Sequence, residues 1–313
     1  MKRFLCQIGV FLLVLVILCT IPLLVFEKKA IESTTKGPYL YVNRVTNLKH
    51  IDADIIILGN SRAEHYDASL MTSLSGLKCL NLGWGGHSFD FCYHVMYKTY
   101  LKNNKKPSYI IVDVSPVCFF EHNNATSVYS IDKLPYIDRP EFQFYVEMCP
   151  QLSWADKMLF VKYFGKLDKV AKEIKGLNNS VNSINKPEIQ KSKQNKYHTL
   201  YVESHPLECN NSIIQLFDNF LDECLADGIK VILICSPMHT EDALPYFDID
   251  GFWNIVNKCV LNSGIPIISY QDYFGNDTLY FSDPIHLNSD GSKAFAAKLI
   301  HDLDSIGILH IQD

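Results

Sequence analysis

The stretch that decides the fold runs from Asp54 to Arg62 and reads Asp-Ile-Ile-Ile-Leu-Gly-Asn-Ser-Arg. Its aliphatic residues follow one another without polar alternation, which indicates a strand buried on both faces, as parallel strands covered by helices are. A helix-like segment, Ala63–Leu74, comes directly after it. The sequence therefore predicts a strand–turn–helix unit with Ser61 at the turn.

The same rhythm of apolar runs and amphipathic segments continues along the chain. Further strands are predicted at Lys78–Gly83, Tyr109–Ser115, Lys230–Ser236 and Pro266–Tyr270. Further helices are predicted at Phe89–Asn103, Ser212–Ala226, Phe252–Asn262 and Ser289–Leu303. Alternation of this kind is typical of an α/β fold with a doubly wound, flavodoxin-like parallel sheet of five strands, in which ligands bind at the carboxyl ends of the strands.

The N-terminus carries an almost unbroken apolar run, Phe4 to Phe26, preceded by Lys2 and Arg3. A helix of that length spans roughly 34 Å, enough to cross the hydrocarbon core of a bilayer. A cleaved signal peptide is the rival interpretation, but the run ends without a small-residue cleavage site. We therefore expect residues 1–28 to be a single-pass transmembrane anchor, 29–51 a linker, and 52–313 an α/β domain on the periplasmic or extracellular side.

Composition and charge exclude several classes of protein. The chain has 313 residues, of which 48% are hydrophobic and 20% charged, and its net charge is −5 with only four arginines. Nucleic-acid binding, which needs a basic face, is therefore not expected. The ten cysteines include no Cys-x-x-C, and no histidine cluster has metal-ligand spacing, so no metal or cofactor is predicted. Disulfide bonds among Cys92, Cys149, Cys209, Cys224 and Cys259 stay open.

One long segment interrupts the strand–helix alternation. Residues 117–206 separate the third predicted strand from the next helix by about ninety residues, an unusual length for a loop within a compact domain. Its first half is rich in aromatic residues, and Asn178 to Tyr197 is rich in Lys, Asn and Ser. The aromatic half is interpreted either as a helical lid or partner-docking element, or as an extension that only packs.

Two short motifs have the residue types of nucleophilic catalysis. Ser61 stands between a strand and a helix, where backbone N–H groups and the helix dipole favour negative charge, although a serine there also serves as a helix cap. Asp283-Pro284-Ile285-His286 lies in the loop before the last helix. A histidine three residues after an aspartate can act as a general base whose ring the carboxylate orients.

These motifs together resemble the SGNH (GDSL-like) hydrolase superfamily. Gly59–Ser61 is similar to its first block, Gly-Asp-Ser, and Gly83 within Asn81–Gly86 is similar to the glycine of its second block. Asp283–His286 is similar to its last block, Asp-x-x-His. The blocks occur in the family's order between residues 52 and 303.

The resemblance implies a serine esterase or acyltransferase. Ser61 would be the nucleophile, His286 the base and Asp283 its orienting partner, and backbone N–H groups of Ser61 and Gly83 would hold the oxyanion. The family's third block supplies an asparagine to the oxyanion hole, whereas this chain reads Asp-Val-Ser-Pro there. Ser115 would have to donate in its place.

The layout also resembles the membrane-anchored branches of this superfamily that acylate cell-envelope polysaccharides. That resemblance implies a glycan or other ester substrate, an acetyl group as the acyl group, and a separate membrane protein that delivers an acyl donor. Arg62 is a candidate for binding an anionic substrate group, and His239, which follows the fourth strand, for contacting substrate. The alternative is an inactive protein of the same fold that binds a glycan or a partner through residues 117–206.

Overall fold

A computed structural model describes residues 2–32, 48–119, 158–163, 165–166, 168, 170–172, 209–243 and 249–309. Contacts between Cα atoms divide the chain into two units, residues 1–47 with 123–189 and residues 48–122 with 190–313. Most of the linker predicted at 29–51 and most of the insertion predicted at 117–206 lie outside the described residues.

The second unit contains a five-stranded sheet in which all neighbouring strands are parallel. Its strands are β1 (Ile55–Leu58), β2 (Cys79–Asn81), β3 (Tyr109–Asp113), β4 (Lys230–Cys235) and β5 (Ile267–Ser269). Their order, β2-β1-β3-β4-β5, is that of flavodoxin-like folds. The predicted sheet is therefore confirmed, with each strand one to three residues shorter than predicted.

The helices occupy the segments between the strands. In chain order they are α1 (Lys2–Glu32), α2 (Ser61–Glu64), α3 (Ala68–Ser75), α4 (Phe89–Phe91), α5 (Lys98–Asn103), α6 (Leu159–Lys162), α7 (Asn211–Ala226), α8 (Thr240–Ala243), α9 (Ile249–Cys259) and α10 (Ser289–Ser305). A π-helical segment joins α4 to α5, so the helix predicted from Phe89 to Asn103 is continuous. A two-stranded antiparallel hairpin, β6 (Phe281–Asp283) with β7 (His286–Leu287), precedes α10.

The helix predicted from Ala63 to Leu74 is in fact two helices, α2 and α3. The side chain of Asp67 accepts a hydrogen bond from the N–H of Leu70 at 2.9 Å, so it caps a new helix where periodicity alone continues the old one. The bend between them turns Tyr66 into the core, where only 4% of it is exposed.

One face of the sheet packs against α3 and α10. The buried cluster there combines alternate residues of the central strands with residues of both helices: Ile55, Ile57, Ile111, Ile232, Ile234, Met71, Phe295 and Leu299. Every side chain of β1 is fully buried, and parallel pairing with β2 on one side and β3 on the other fixes its register. The position of the turn that follows β1 is fixed accordingly.

The residues that flank the long segment after β3 lie next to each other in the second unit. The N–H of Asn210, immediately before α7, donates to the carbonyl of Phe119 at 2.8 Å. The two ends of the excursion are thus closed by a backbone hydrogen bond.

In the first unit, α1 is the one described helix with the length and apolar composition to cross a membrane, over Lys2–Lys28. A signal sequence has the same properties. Near its end, Leu23 and Phe26 are almost fully buried, and the ring of Phe26 packs edge-on against Tyr163 at 5.7 Å. The Nζ of Lys162 lies 2.6 Å from the carboxylate of Glu27.

Close packing at the start of α10 generates a prediction about stability. A Cβ on Gly291 would collide with the carbonyl of Tyr280, which is backbone and cannot rotate away. We expect Gly291→Ala to lower the free energy of unfolding by about 1–3 kcal/mol, as overpacking does. Urea unfolding measures this, with the exposed Ser289→Ala as the control; equal stability of both variants would contradict it.

Candidate active site

Ser61 is the first residue of α2, directly after the turn that ends β1. The backbone of Gly59 has φ +146°, and a Cβ there would lie 2.7 Å from the Cβ of Ala63, so the turn requires glycine. The side-chain oxygen of Asn60 accepts a hydrogen bond from the N–H of Arg62 at 3.0 Å. Asn60, rather than Ser61, is therefore the helix cap, which leaves the hydroxyl of Ser61 available for another partner.

That partner is His286, whose Nε2 lies 2.7 Å from Ser61 Oγ although the two residues are 225 positions apart. The Nδ1 of the same ring lies 2.8 Å from Asp283 Oδ2. The other carboxylate oxygen of Asp283 accepts the backbone N–H groups of Ile285 at 3.1 Å and of His286 at 3.0 Å. The structure thus brings together the three residues predicted as nucleophile, base and orienting acid.

The charge state of this group follows from its surroundings. Burial raises the pKa of Asp283, but the hydrogen bond and the charge of His286 outweigh burial, and the net pKa lies below its ordinary value. Asp283 therefore stays ionised at neutral pH and accepts a hydrogen bond from Nδ1–H of His286. The tautomer with Nδ1–H leaves Nε2 as the acceptor that faces Ser61. The arrangement can thus remove the serine proton.

The two glycines next to the nucleophile have different roles. Gly83, predicted as an oxyanion donor, donates its N–H to Asn81 Oδ1 at 2.8 Å, and a Cβ there would lie 2.7 Å from the backbone nitrogen of Glu64. It allows the loop to pack on α2. Gly85 instead lies against the nucleophile, since a Cβ there would be 3.3 Å from Ser61 Cβ. Its N–H donates to Glu64 Oε2 at 3.1 Å.

Ser115, the second predicted oxyanion donor, lies behind the nucleophile turn. Its hydroxyl accepts a hydrogen bond from Asn60 Nδ2 at 3.0 Å and is 3.6 Å from Cys118 Sγ, and the residue is 1% exposed. The contact links the end of β3 to the residue before Ser61. In this structure Ser115 therefore supports the turn from within the protein.

Arg62, predicted to bind an anionic substrate group, points into the protein instead. Only 4% of it is exposed, and its guanidinium donates to the backbone carbonyl of Ser236. Burial lowers the pKa of Arg62, but its neighbours Cys235 and Asp113 raise it by more, so the guanidinium stays charged. Sequence does not show which way a helical side chain points, and binding of an anionic substrate group by Arg62 stays a prediction.

His239, predicted to contact substrate, is also internal. It is 5% exposed, its Nε2 lies 3.2 Å from the carbonyl of Asn276, and its ring packs edge-on against Phe281. Its backbone N–H donates to the carbonyl of Pro284 at 2.8 Å. His239 therefore holds the hairpin that carries Asp283, and its ring is packed within the protein.

The sequence analysis did not single out Glu64 and His65, which follow Ser61 on the same helical turn. The ring of His65 lies 5.2 Å from the ring of His286. Residues four apart lie on the same face of a helix. The spacing between Ser61 and His65 could therefore have predicted that His65 lies near the nucleophile.

The described cysteines and acidic groups indicate no disulfide and no metal site. Eight cysteines are free thiols in this part of the chain, among them Cys92, Cys209, Cys224 and Cys259, while Cys149 lies outside it. No group of three or more His, Cys, Asp or Glu residues that is suited to a metal ion occurs among the same residues.

Comparison with known proteins yields likeness of structure only. No family model and no curated protein sequence matches the chain. The acetyl xylan esterase AlAXEase is 12% identical over 80% of this chain and 98% of that one, with a TM-score of 0.41. A GDSL-like lipase from Bacteroides thetaiotaomicron is 12% identical over 85% and 99%, with a TM-score of 0.37. Identity and TM-score are low in both, so neither assigns an activity to this chain.

The buried position of Arg62 leads to a prediction that separates a structural from a substrate-binding role. Burial raises the pKa of Asp113, and Arg62 works against that effect. In Arg62→Met the carboxyl group loses its counter-charge, so we expect the free energy of unfolding at pH 8 to fall by about 3–5 kcal/mol. The loss should be smaller at pH 4, where the unpaired Asp113 of the folded variant is protonated. As the pH rises, Asp113 releases this proton from the unfolded chain before it does so from the folded variant, and the variant loses stability accordingly.

Denaturant unfolding at both pH values measures this effect. The matched control is Lys298→Met, which removes a surface ion pair with Asp302 and should leave the free energy of unfolding nearly unchanged at both pH values. Wild-type stability of Arg62→Met combined with weaker substrate binding would support the original substrate-binding interpretation instead.

Proposed function

We propose that this protein is a serine esterase or O-acyltransferase of the SGNH type. The observation that carries the proposal is the 2.7 Å contact between Ser61 Oγ and His286 Nε2, on a ring whose other nitrogen is held by Asp283. A serine with such a base is activated for attack on an ester carbonyl.

Acylation follows from the geometry of these three side chains. Ser61 Oγ attacks the ester carbonyl while its proton moves to His286 Nε2, and Asp283 stabilises the imidazolium that forms. Collapse of the tetrahedral intermediate breaks the bond to the leaving alcohol, which takes the proton from Nε2. The result is an acyl group esterified to Ser61 and a neutral His286.

The second half of the reaction repeats these steps with a new alcohol or water. His286 removes a proton from the acceptor, which attacks the acyl carbonyl and restores Ser61. Water as the acceptor gives hydrolysis, and a sugar hydroxyl gives acyl transfer. Both outcomes use the same three side chains, so the acceptor that reaches the site decides between them.

Negative charge on the carbonyl oxygen needs donors, and the loss of one typically costs about 10²–10³ in rate. The N–H of Ser61 is a candidate because the first N–H groups of a helix have no intrahelical partner. A second donor is expected from the glycine-rich loop 83–86, which lies against Ser61 at Gly85. A donor from this loop must exchange an existing bond, because the N–H of Gly83 is bound to Asn81 Oδ1 and that of Gly85 to Glu64 Oε2. The hydroxyl of Ser115 is bound to Asn60 inside the protein.

The site of action that we propose is the outer face of a membrane, with α1 as an uncleaved single-pass anchor and the α/β domain periplasmic or extracellular. The support lies at the end of α1. Glu27 accepts a hydrogen bond from the hydroxyl of Tyr163 at 3.0 Å and pairs with Lys162, whose side chain is 1% exposed. A leader peptide that is removed after export has no need of a buried ion pair with the mature chain.

The proposed substrate is an acyl ester, most plausibly acetyl, on a cell-envelope glycan. The support is the layout of an apolar helix followed by a serine-esterase-like domain, which resembles membrane-anchored enzymes that acylate envelope polysaccharides. For transfer, a separate membrane protein would deliver the acyl donor.

A fluorophosphonate probe tests the proposed nucleophile. We expect one covalent adduct on the full chain, and none on Ser61→Ala or His286→Ala, because the probe reacts with activated serines only. Asp283→Asn should slow labelling by about 10³–10⁴-fold, since the ring loses the required tautomer. The adduct is measured by intact mass.

Ser69→Ala is the matched control, because Ser69 is an exposed serine on α3. It should label like the wild type. A folded parent protein that forms no adduct, or an adduct that persists in Ser61→Ala, would refute the proposal and favour an inactive binding protein of the same fold.

The anchor has its own test. Protein extracted from the membrane fraction should have a mass that includes residue 1. Lys162→Met should be less stable than the wild type, because Glu27 is then left without its counter-charge in a buried position. A matched control is the exposed Lys172→Met. A mature chain that begins after residue 28 and is released from the membrane would contradict the anchor.

A further inference from the structure

A second imidazole lies beside the base of the proposed triad. The rings of His65 and His286 are 5.2 Å apart between centroids and inclined at 38°. His65 follows Ser61 by four residues, so nucleophile and second imidazole share one side of the same helical turn. His286 is thus approached by Asp283 at Nδ1, by Ser61 at Nε2 and by His65 against its ring.

The backbone of His65 is fixed from two sides. Its N–H donates to the carbonyl of Arg62 at 3.2 Å, which ends α2, and its carbonyl accepts a hydrogen bond from the hydroxyl of Ser292 on α10. Neither bond involves the imidazole, so any residue could make them. The ring itself is only half-buried and faces His286.

The charged groups that act on His65 come from its own helix and from the hairpin. Burial lowers the pKa of His65, and the charge of His286 lowers it further, while the carboxylates of Glu64 and Asp283 raise it; the net pKa lies below its ordinary value. The contact from α10, Ser292, is uncharged. At neutral pH the His65 ring is therefore neutral.

We propose that His65 is a positioning residue for His286, and that the pair of rings carries at most one positive charge. The neutral ring of His65 limits the rotation of His286, so that Nε2 stays directed at Ser61. While His286 carries the serine proton, its positive charge keeps His65 from taking a second one, and the contact between the rings persists through the reaction.

This inference rests on the proposed function for its kinetic part. With p-nitrophenyl acetate and the full chain in detergent, His65→Ala should lower kcat by about 10- to 100-fold and leave KM nearly unchanged, because orientation and not binding is lost. His65→Phe, which restores a flat ring, should recover most of that loss. His301→Ala, whose side chain is 76% exposed on α10, is the control.

Nitrogen-15 NMR of the histidine-labelled full chain tests, without turnover, whether a charge on His286 prevents protonation of His65. In His286→Gln the pKa of His65 should rise by about one pH unit, the size expected for removal of a charge roughly 5 Å away. The downfield Nδ1–H signal of His286, which its bond to Asp283 produces, should be present in the wild type and in His65→Phe and weaken in His65→Ala.

The outcomes separate the two proposals. No turnover by the wild type refutes the proposed esterase, while the NMR titration still decides whether His65 positions His286. Equal kcat for wild type and His65→Ala, or a pKa of His65 that does not change in His286→Gln, would overturn the inference whatever the esterase result.

Discussion

The guanidinium of Arg62, buried one residue after the nucleophile, ties the turn that follows β1 to the carbonyl of Ser236 beyond β4. A buried charge is tolerated only with partners, and Asp113 at the end of β3 provides the opposite charge. The ends of three parallel strands are therefore held in one arrangement. Ser61 is the residue before Arg62, so this internal arrangement fixes the backbone from which its hydroxyl reaches His286.

The base and its orienting acid come from a hairpin, and not from the parallel sheet. Asp283 and His286 lie on a short hairpin outside the sheet, and the carboxylate is oriented by the backbone N–H groups of the hairpin itself. The hairpin is attached through His239, whose N–H binds the carbonyl of Pro284. Two separately organised pieces thus meet at the contact between Ser61 and His286 and at the ring contact between His65 and His286. The geometry of the triad therefore depends on internal residues near the strand ends as well as on the hairpin.

The sequence predicts those features of the fold and of the site that are determined by neighbouring residues in the chain. Runs of aliphatic residues fix the strands, and the Asp-x-x-His spacing fixes the pair at 283 and 286, because both depend on neighbours in the chain. Side-chain direction depends on neighbours in space. Arg62 and His239 were therefore predicted to face substrate, whereas both are buried in the structure. Gly85 and His65 were not predicted as site residues, although both lie next to the triad. The break between α2 and α3 was missed because a capping aspartate overrides apolar periodicity.

The hydrogen bond between the carbonyl of Phe119 and the N–H of Asn210 closes a long excursion of the chain. For a flexible loop whose ends meet in this way, the free energy of closure grows only logarithmically with the number of residues, about 0.6 kcal/mol for each doubling. We therefore expect the α/β unit to accept a change in the length of the intervening segment as long as the residues on either side of this bond are kept.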